Sequence, residues 1–304
     1  MRAAAIDIGT NTVLMLVAEG DARAPRVLAE RAVITRLGQD VDRTRQLAPE
    51  AVARTLACLA GYAETLSRLG VDRVAVVGTS AMRDPAGGDA FVRAAERLLG
   101  VAPRVIGGRE EAELGFAGAT AGLPLHRAVT VFDVGGGSTE IVRGTLGAVR
   151  LVASATSLDV GSVRLTERHV RADPPSADEL LRLRIDVRTA LAAVEAPAPG
   201  VPLVGVAGTL TTLAAVRAGL AVYEAARVHG STLEKADVAK LLERFGALAL
   251  AERAALPGLE PARADVIVAG TVIVDEVLAW AAAEHVIVSD RGVRWGLLER
   301  LLGA

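Results

Sequence analysis

Two short segments of this chain repeat one pattern, in which an apolar run ends in an aspartate and glycine follows almost at once. Residues 5–12 read AIDIGTNT, and residues 132–140 read FDVGGGSTE. An apolar run that stops at glycine is typical of a buried strand followed by a tight turn, and the small polar residues that follow begin a second strand. Because the pattern occurs twice in 304 residues, we predict two similar halves, each with a strand-loop-strand unit.

The glycines of the second copy suit a site for an anion. Gly135, Gly136 and Gly137 carry no Cβ, so their backbone N–H groups are able to converge on a bound phosphate. Asp133 and Glu140 flank the glycines and offer the oxygen ligands that Mg²⁺ prefers. A plain glycine-rich hairpin explains a single such turn equally well, whereas the presence of two copies favours binding of phosphate or a nucleotide.

Composition narrows the class of protein. With 51% hydrophobic residues over 304 positions, the chain can bury a large core and form two domains. The formal net charge of −2 gives no basic field of the kind that attracts nucleic acids. Cys58 is the single cysteine, so no disulfide framework forms within one chain. No apolar run approaches the roughly 20 residues of a membrane span, and we expect a cytoplasmic protein without nucleic-acid or membrane partners.

Periodicity predicts an α/β chain. Residues 3–8, 13–18 and 26–34 are short apolar or alternating runs, which indicates a meander of three strands. Residues 49–69 carry apolar side chains at a helical period, with a proline at the first position and a glycine just after the last. Glycines and a proline between positions 118 and 124 predict a domain boundary, which we place after residue 122.

Two loops at predicted strand ends carry further candidates. Arg83 follows a buried strand, where loops of α/β sheets hold ligands, and it either contacts a phosphate or pairs with Asp84 at the surface. Gly208 and Thr209 follow the strand predicted over residues 203–206, and this small-residue turn is able to cradle a phosphate.

An acidic turn begins the helix predicted after residue 107. Its carboxylates are Glu110, Glu111 and Glu113. Acidic side chains at a helix N-terminus complement the positive end of the helix dipole, so their spacing alone favours a structural role.

Taken in order, the motifs of this chain match those of one protein family. They are DIGTNT from Asp7, GTSAMR from Gly78, GREEA from Gly108, DVGGGSTE from Asp133, GSVR from Gly161, GVAGT from Gly205, RADVI from Arg263 and SDRGVR from Ser289. In order and spacing they resemble the exopolyphosphatase / guanosine pentaphosphate phosphohydrolase family, and the resemblance covers nearly the whole chain.

That resemblance implies a fold. The family belongs to the superfamily of actin, sugar kinases and heat-shock chaperones, which implies two ribonuclease-H-like α/β domains facing each other across a cleft. The domains are then residues 1–122 and 123–304, with a C-terminal helix over about 293–304 expected to pack back on the first. Longer members carry an additional helical region for which this chain has no room. Processivity on long polymers and pairing as a homodimer are therefore left open.

The resemblance also assigns roles to individual residues. Glu111 matches the family's catalytic glutamate, which positions the attacking water and accepts its proton. Asp7, Asp133 and Glu140 are implied to hold Mg²⁺ or Mn²⁺, directly or through water. The residues implied to contact substrate phosphates are Gly9, Thr10, Asn11, Arg83, Gly135, Gly136, Gly137, Ser138, Gly208 and Thr209.

The expected activity is that of an exopolyphosphatase, which hydrolyses terminal orthophosphate from linear inorganic polyphosphate with a divalent metal. Hydrolysis of guanosine pentaphosphate at its 5′ end is the alternative, because the same chemistry applies. A third hypothesis is that the protein is not catalytic and senses phosphate or nucleotide in the same site. One departure from the family is Glu113, where many members have arginine, and an acid there makes the local field less favourable to a polyanion.

Overall fold

The computed structural model describes residues 1–22, 24–79, 82, 88–147 and 150–303. By its internal contacts the chain divides into two compact units. Unit 1 comprises Met1–Gly118 together with Val293–Ala304, and unit 2 comprises Ala119–Gly292. The first unit is therefore built from both ends of the sequence, and the second is one continuous segment.

Unit 1 contains a five-stranded mixed sheet and flanking helices. Its elements are β1 (Arg2–Ile8), β2 (Thr12–Asp21), β3 (Ala24–Ile34), α1 (Val41–Thr44), α2 (Pro49–Leu69), β4 (Arg73–Gly78), α3 (Gly88–Leu99), β5 (Arg104–Val105), α4 (Gly108–Ala119) and, at the end of the chain, α12 (Val293–Gly303). The strand order is β3-β2-β1-β4-β5. The first three strands form the predicted antiparallel meander, and β4 and β5 extend the sheet in parallel with β1.

Helices cover both faces of this sheet. Along β1, Ala4 and Ile8 pack in one hydrophobic cluster with α2 and α3, whereas Ala3 and Ala5 pack in another with α4 and α12. The alternation follows from the two-residue period of a strand. Asp7 continues the series of Ala3 and Ala5, so its side chain lies on the face that α4 and α12 cover.

The last helix of the chain completes the second of these layers. Leu297 and Leu298 of α12 are buried in the same cluster as Leu114 of α4. The two helices approach so closely at Gly296 that a Cβ there would lie 2.1 Å from the carbonyl oxygen of Leu114. Nearby, Arg300 donates to Glu110 at 2.9 Å. Helix α12 is thus part of the core of unit 1.

Unit 2 contains a six-stranded mixed sheet with its own helices. Its elements are β6 (Arg127–Val134), β7 (Thr139–Leu146), β8 (Leu151–Leu158), α5 (Ser162–His169), α6 (Ala177–Leu191), β9 (Leu203–Val206), α7 (Ala207–Arg217), α8 (Ala225–Val228), β10 (Thr232–Glu234), α9 (Lys235–Ala247), α10 (Leu250–Ala254), a 3₁₀ turn (Pro261–Arg263), α11 (Ile267–Trp280) and β11 (His285–Val288). The strand order is β10-β11-β9-β6-β7-β8.

The two sheets share one topology. In each, a three-stranded antiparallel meander comes first, and its first strand then pairs in parallel with the next strand of the chain, β4 in unit 1 and β9 in unit 2. The two aspartate-glycine motifs occupy equivalent places, at the turns between β1 and β2 and between β6 and β7. The duplicated ribonuclease-H-like α/β fold is therefore confirmed.

Helix α6 begins with a capping box that buries a carboxylate. The Ser176 side chain accepts from the backbone N–H of Glu179, and the Glu179 carboxylate accepts from the backbone N–H groups of Ser176, Arg171 and Ala172 at 2.8 to 3.1 Å. These backbone donors, Ser176 first, lower the pKa of Glu179 to about 2 from an ordinary value of 4.5.

Replacing Glu179 with glutamine should make the stability difference from the parent depend on pH. Because the folded-state pKa is depressed, the ionised carboxylate stabilises the fold above about pH 4.5, and this contribution is lost as pH falls towards about 2. We expect Glu179→Gln to unfold at lower urea concentration than the parent at pH 7, with the gap closing as pH falls through that range. Urea unfolding from pH 7 to pH 2.5 measures it, with the surface variant Glu243→Gln as control. A gap that is constant with pH would contradict the assignment.

Candidate active site

The carboxyl ends of the parallel strands of unit 1 place three polar side chains at one edge of the sheet. Asp7 on β1 lies opposite Val77 of β4, and Val77 lies opposite Arg104 of β5. Thr79 follows β4 directly, and Glu111 lies in the first turn of α4, just after β5. Asp7, Thr79 and Glu111 are each less than 10% exposed. Unit 1 therefore gathers two carboxylates and a hydroxyl where α/β sheets hold ligands.

The turn between β1 and β2 is fixed through its backbone. The Gly9 amide donates to the Thr12 carbonyl at 3.1 Å, and the Thr10 carbonyl accepts from the Gly38 amide at 2.9 Å. The Asn11 carbonyl accepts from two further amides of the loop after β3. The Asn11 side chain is 6% exposed, and neither its Oδ1 nor its Nδ2 bonds any residue that the structure describes. Because a buried amide that makes no hydrogen bond costs free energy, the Asn11 side chain is suited to bind a group from outside the chain, such as a phosphate oxygen or water.

The acidic turn of α4 separates into structural and candidate catalytic carboxylates. Glu110 accepts from Arg104 at 2.7 Å and from Arg300, and the hydrogen bond from Arg104 is the main cause of its lowered pKa. Glu113 accepts from Arg109 at 3.2 Å. The arginine partners of these two acids suit the structural role that their position at the helix N-terminus predicts. Glu111 is the buried member of the three, at 8% exposure.

In unit 2 the second motif forms a tight hairpin turn. Strands β6 and β7 pair in antiparallel register, with Asp133 directly opposite Glu140. The Gly135 amide donates to the Ser138 carbonyl at 3.0 Å and closes the turn. Directly opposed residues of neighbouring strands point to the same face, with Cβ atoms about 5 Å apart. The structure thus brings the two carboxylates together beside the glycines.

Helix α5 holds this turn from one side. The Gly135 carbonyl accepts from the Ser162 amide, and the Gly136 carbonyl accepts from the next two amides of the helix, at 2.9 to 3.0 Å. The Gly137 carbonyl accepts from Nε of Arg164 at 2.6 Å. With these carbonyls directed at α5, the amides of Gly136, Gly137 and Ser138 donate to no residue in the described part of the chain. Three such amides in a glycine turn form a cradle for an anion.

The third predicted turn lies at the same sheet edge of unit 2. Val206 at the end of β9 lies opposite Asp133, and α7 begins immediately after it. Gly208 and Thr209 fall in the first turn of α7, whose N-terminal amides suit an anion. Ala207 has a φ of 71°, in the left-handed region that costs a non-glycine residue free energy and occurs at functional sites.

One residue without a predicted role lies against this turn. A Cβ at Gly208 would lie 2.0 Å from a terminal nitrogen of Arg263, so the guanidinium rests directly on the glycine backbone. Burial lowers the pKa of Arg263. Its RADVI stretch belongs to the matched motifs, but nothing in the sequence indicates that the 3₁₀ turn brings Arg263 to Gly208.

Arg83 lies outside the described residues. Among the residues that the structure does describe, no group of three or more histidine, cysteine, aspartate or glutamate side chains forms a ready-made metal cage. The predicted ligands of unit 2 are a pair of carboxylates, Asp133 and Glu140.

Among the residues that the structure describes, no helix has the length and apolar character needed to span a membrane.

Comparison with known proteins identifies the family. The model of the Ppx/GppA phosphatase family matches residues 16–304. The chain belongs to this Ppx/GppA family. Exopolyphosphatase 2 of Mycobacterium tuberculosis is 41% identical over 99% of both chains. A crystal structure of an exopolyphosphatase-like protein is 33% identical, with a TM-score of 0.92 over 99% of this chain and 100% of the other. The Ppx/GppA family member of Aquifex aeolicus is 32% identical, with a TM-score of 0.83 over 99% and 97% of the two chains.

Proposed function

We propose that this chain is an exopolyphosphatase, a phosphoanhydride hydrolase that releases terminal orthophosphate from linear inorganic polyphosphate. The observation that carries the proposal is the cradle of unit 2, where the amides of Gly136, Gly137 and Ser138 adjoin the carboxylates of Asp133 and Glu140. Anion-binding amides beside hard oxygen ligands suit a phosphate together with its metal ion. Similarity over the whole length to a relative named exopolyphosphatase supports polyphosphate as the substrate.

The carboxylate pair fits Mg²⁺ or Mn²⁺. Two carboxylates on directly opposed strand residues repel each other, and a divalent cation removes this repulsion. Mg²⁺ needs no complete protein cage, because it keeps several waters and commonly takes one or two carboxylates plus substrate phosphate oxygens. Asp133 and Glu140 would hold the ion in unit 2, and Asp7 is the corresponding carboxylate of unit 1. When bound, the cation neutralises charge on the phosphoryl oxygens.

The residues of the chain have distinct proposed roles. Glu111 orients the attacking water and accepts its proton, a role that suits a buried carboxylate close to the carboxyl ends of the parallel strands. The amides of the unit 2 cradle bind oxygens of the terminal phosphate. In unit 1, the Gly9-Thr10-Asn11 turn binds phosphate oxygens through its backbone and the Asn11 amide. Arg83, the Gly208-Thr209 turn and Arg263 neutralise phosphates.

Phosphate release tests the proposal. Long-chain polyphosphate and guanosine pentaphosphate are assayed in parallel with Mg²⁺, using the parent and the Glu111→Gln variant. Release from polyphosphate that disappears in the variant would support the exopolyphosphatase assignment. Release from the nucleotide alone would instead indicate guanosine pentaphosphate hydrolysis. If both compounds bind and neither is hydrolysed, the protein is a sensor.

Substituting Asp133 tests the proposed metal ligand. Asp133→Asn keeps the size of the side chain but removes one carboxylate of the pair. Loss of a residue that only orients a metal ligand weakens metal binding by roughly tenfold or more. Loss of a ligand itself should cost at least as much, so we expect the Mg²⁺ concentration for half-maximal rate to rise by at least about tenfold. The control is Asp159→Asn, since the Asp159 side chain is 88% exposed. An unchanged Mg²⁺ titration would make Asp133 a structural residue.

A further inference from the structure

A third strand continues the row of polar residues that starts at Asp133. In the antiparallel pair of β7 and β8, Glu140 lies directly opposite Ser157, just as Asp133 lies opposite Glu140 in the pair of β6 and β7. Residues opposed in this way point to one face of a sheet. Asp133, Glu140 and Ser157 therefore form a row across three neighbouring strands, beside the cradle.

The outer member of the row is bonded to the middle one. The Ser157 hydroxyl donates to Oε1 of Glu140 at 2.8 Å, a normal length for an O–H donor to a carboxylate. Glu140 is 5% exposed, whereas Ser157 is exposed on the edge strand of the sheet. The buried carboxylate is thus held in orientation from the side opposite to Asp133.

Such a contact has a known purpose at metal sites. Carboxylates that bind metal ions are usually oriented by a hydrogen-bond donor behind them, and loss of that donor weakens metal binding. By contrast, an exposed serine without such a role, on an edge strand, would not be expected to bind a buried carboxylate. The register of β7 and β8 places Ser157 opposite Glu140, so its hydroxyl lies within hydrogen-bond distance of the carboxylate.

We propose that Ser157 is a positioning residue, which fixes the Glu140 carboxylate in the orientation that binds the divalent cation. This inference rests on the proposed function, in which Glu140 is a metal ligand. Ser157 acts through Glu140 and contacts neither substrate nor metal. Threonine at this position keeps the hydroxyl and suits a strand, so it should preserve the contact, whereas alanine removes it.

The test measures metal binding without turnover. Mn²⁺ is titrated into the full-length parent, Ser157→Ala, Ser157→Thr and Ser154→Ala, and free Mn²⁺ is followed by electron paramagnetic resonance. Ser154 is the matched control, because it lies three residues away on β8, opposite Arg143, and so points to the other face. We expect Ser157→Ala to bind Mn²⁺ about tenfold more weakly, Ser157→Thr to stay close to the parent and Ser154→Ala to be unchanged.

The outcomes separate this inference from the proposed function. Equal Mn²⁺ affinity in the parent and Ser157→Ala, or no Mn²⁺ binding by the parent, would overturn the positioning role. A loss that Ser157→Thr shares would overturn it as well, because the hydroxyl is then not the cause. If the parent releases no phosphate from polyphosphate while Ser157→Ala still binds Mn²⁺ more weakly, the positioning role stands and the proposed activity fails. Thermal unfolding of each variant confirms that the fold is intact.

Discussion

Glu111→Gln is expected to lower the rate of phosphate release on the order of 100-fold or more, while the KM for polyphosphate changes little. Glutamine has the size of glutamate but cannot accept the proton of the attacking water. Glu111 is also the buried carboxylate of its helix turn, whereas the side chains of Glu110 and Glu113 are more exposed. Steady-state kinetics with polyphosphate and saturating Mg²⁺ measures the effect.

Glu113→Gln is the matched control for this prediction. It makes the same chemical change two residues further along α4, where the carboxylate is paired with Arg109 at the surface. Its rate should stay near that of the parent, since a surface ion pair contributes little. Equal rates in Glu111→Gln and the parent would remove Glu111 from the mechanism. A large rise in KM at unchanged kcat would give it a role in substrate binding instead.

A single methyl group at position 161 is expected to disable the unit 2 cradle. A Cβ on Gly161 would lie 2.4 Å from the carbonyl oxygen of Gly136 and 2.5 Å from the carbonyl carbon of Gly137. Both are backbone atoms of the cradle, so no side-chain rotation relieves the contact. The glycine turn must move by a substantial fraction of an ångström, and misplacement on the order of 1 Å costs about 100-fold in rate.

The expected results for Gly161→Ala are therefore a loss of about 100-fold in phosphate release and a destabilisation of about 1–3 kcal/mol from overpacking. The control is Gly61→Ala in the middle of α2, where a new Cβ meets nothing within 4 Å. That variant should gain about 0.5–1 kcal/mol in stability with full activity, because alanine favours a helix interior. Thermal unfolding and phosphate release measure both. Full activity in Gly161→Ala would show that the turn tolerates displacement.

The elements predicted well are those with a strong pattern. Helix α2 has Pro49 at its first position and Gly70 as a left-handed C-cap, and both signals act within the segment itself. The first meander likewise follows from alternation along its strands. Strand β8 was not predicted, because its sequence LVASATSL is small, polar and mostly exposed, as suits an edge strand with few core contacts. Ser157 was missed with it.

The candidate site was predicted as a set of residues but not as an arrangement. Asp133 and Glu140 lie seven positions apart, and only the hairpin register shows that they are directly opposed. Helix α5 binds the carbonyls of the glycine turn through its N-terminal amides, a contact across residues that no local pattern encodes. Arg263 reaches Gly208 through tertiary packing for the same reason. Residue types predict the chemistry, and long-range register and packing determine the geometry.

The place of α12 in unit 1 has a consequence for the order in which the protein is made. A ribosome completes all of residues 119–292 before it adds residues 293–303, so the continuous unit is synthesised in full while the other still lacks one helix. Until then the face of β1 that carries Ala3 and Ala5 has no α12 to cover it. A fragment cut at residue 118 would keep α4 on that face but would lack α12 permanently. An isolated unit 1 therefore requires residues 293–303 to be joined back to it.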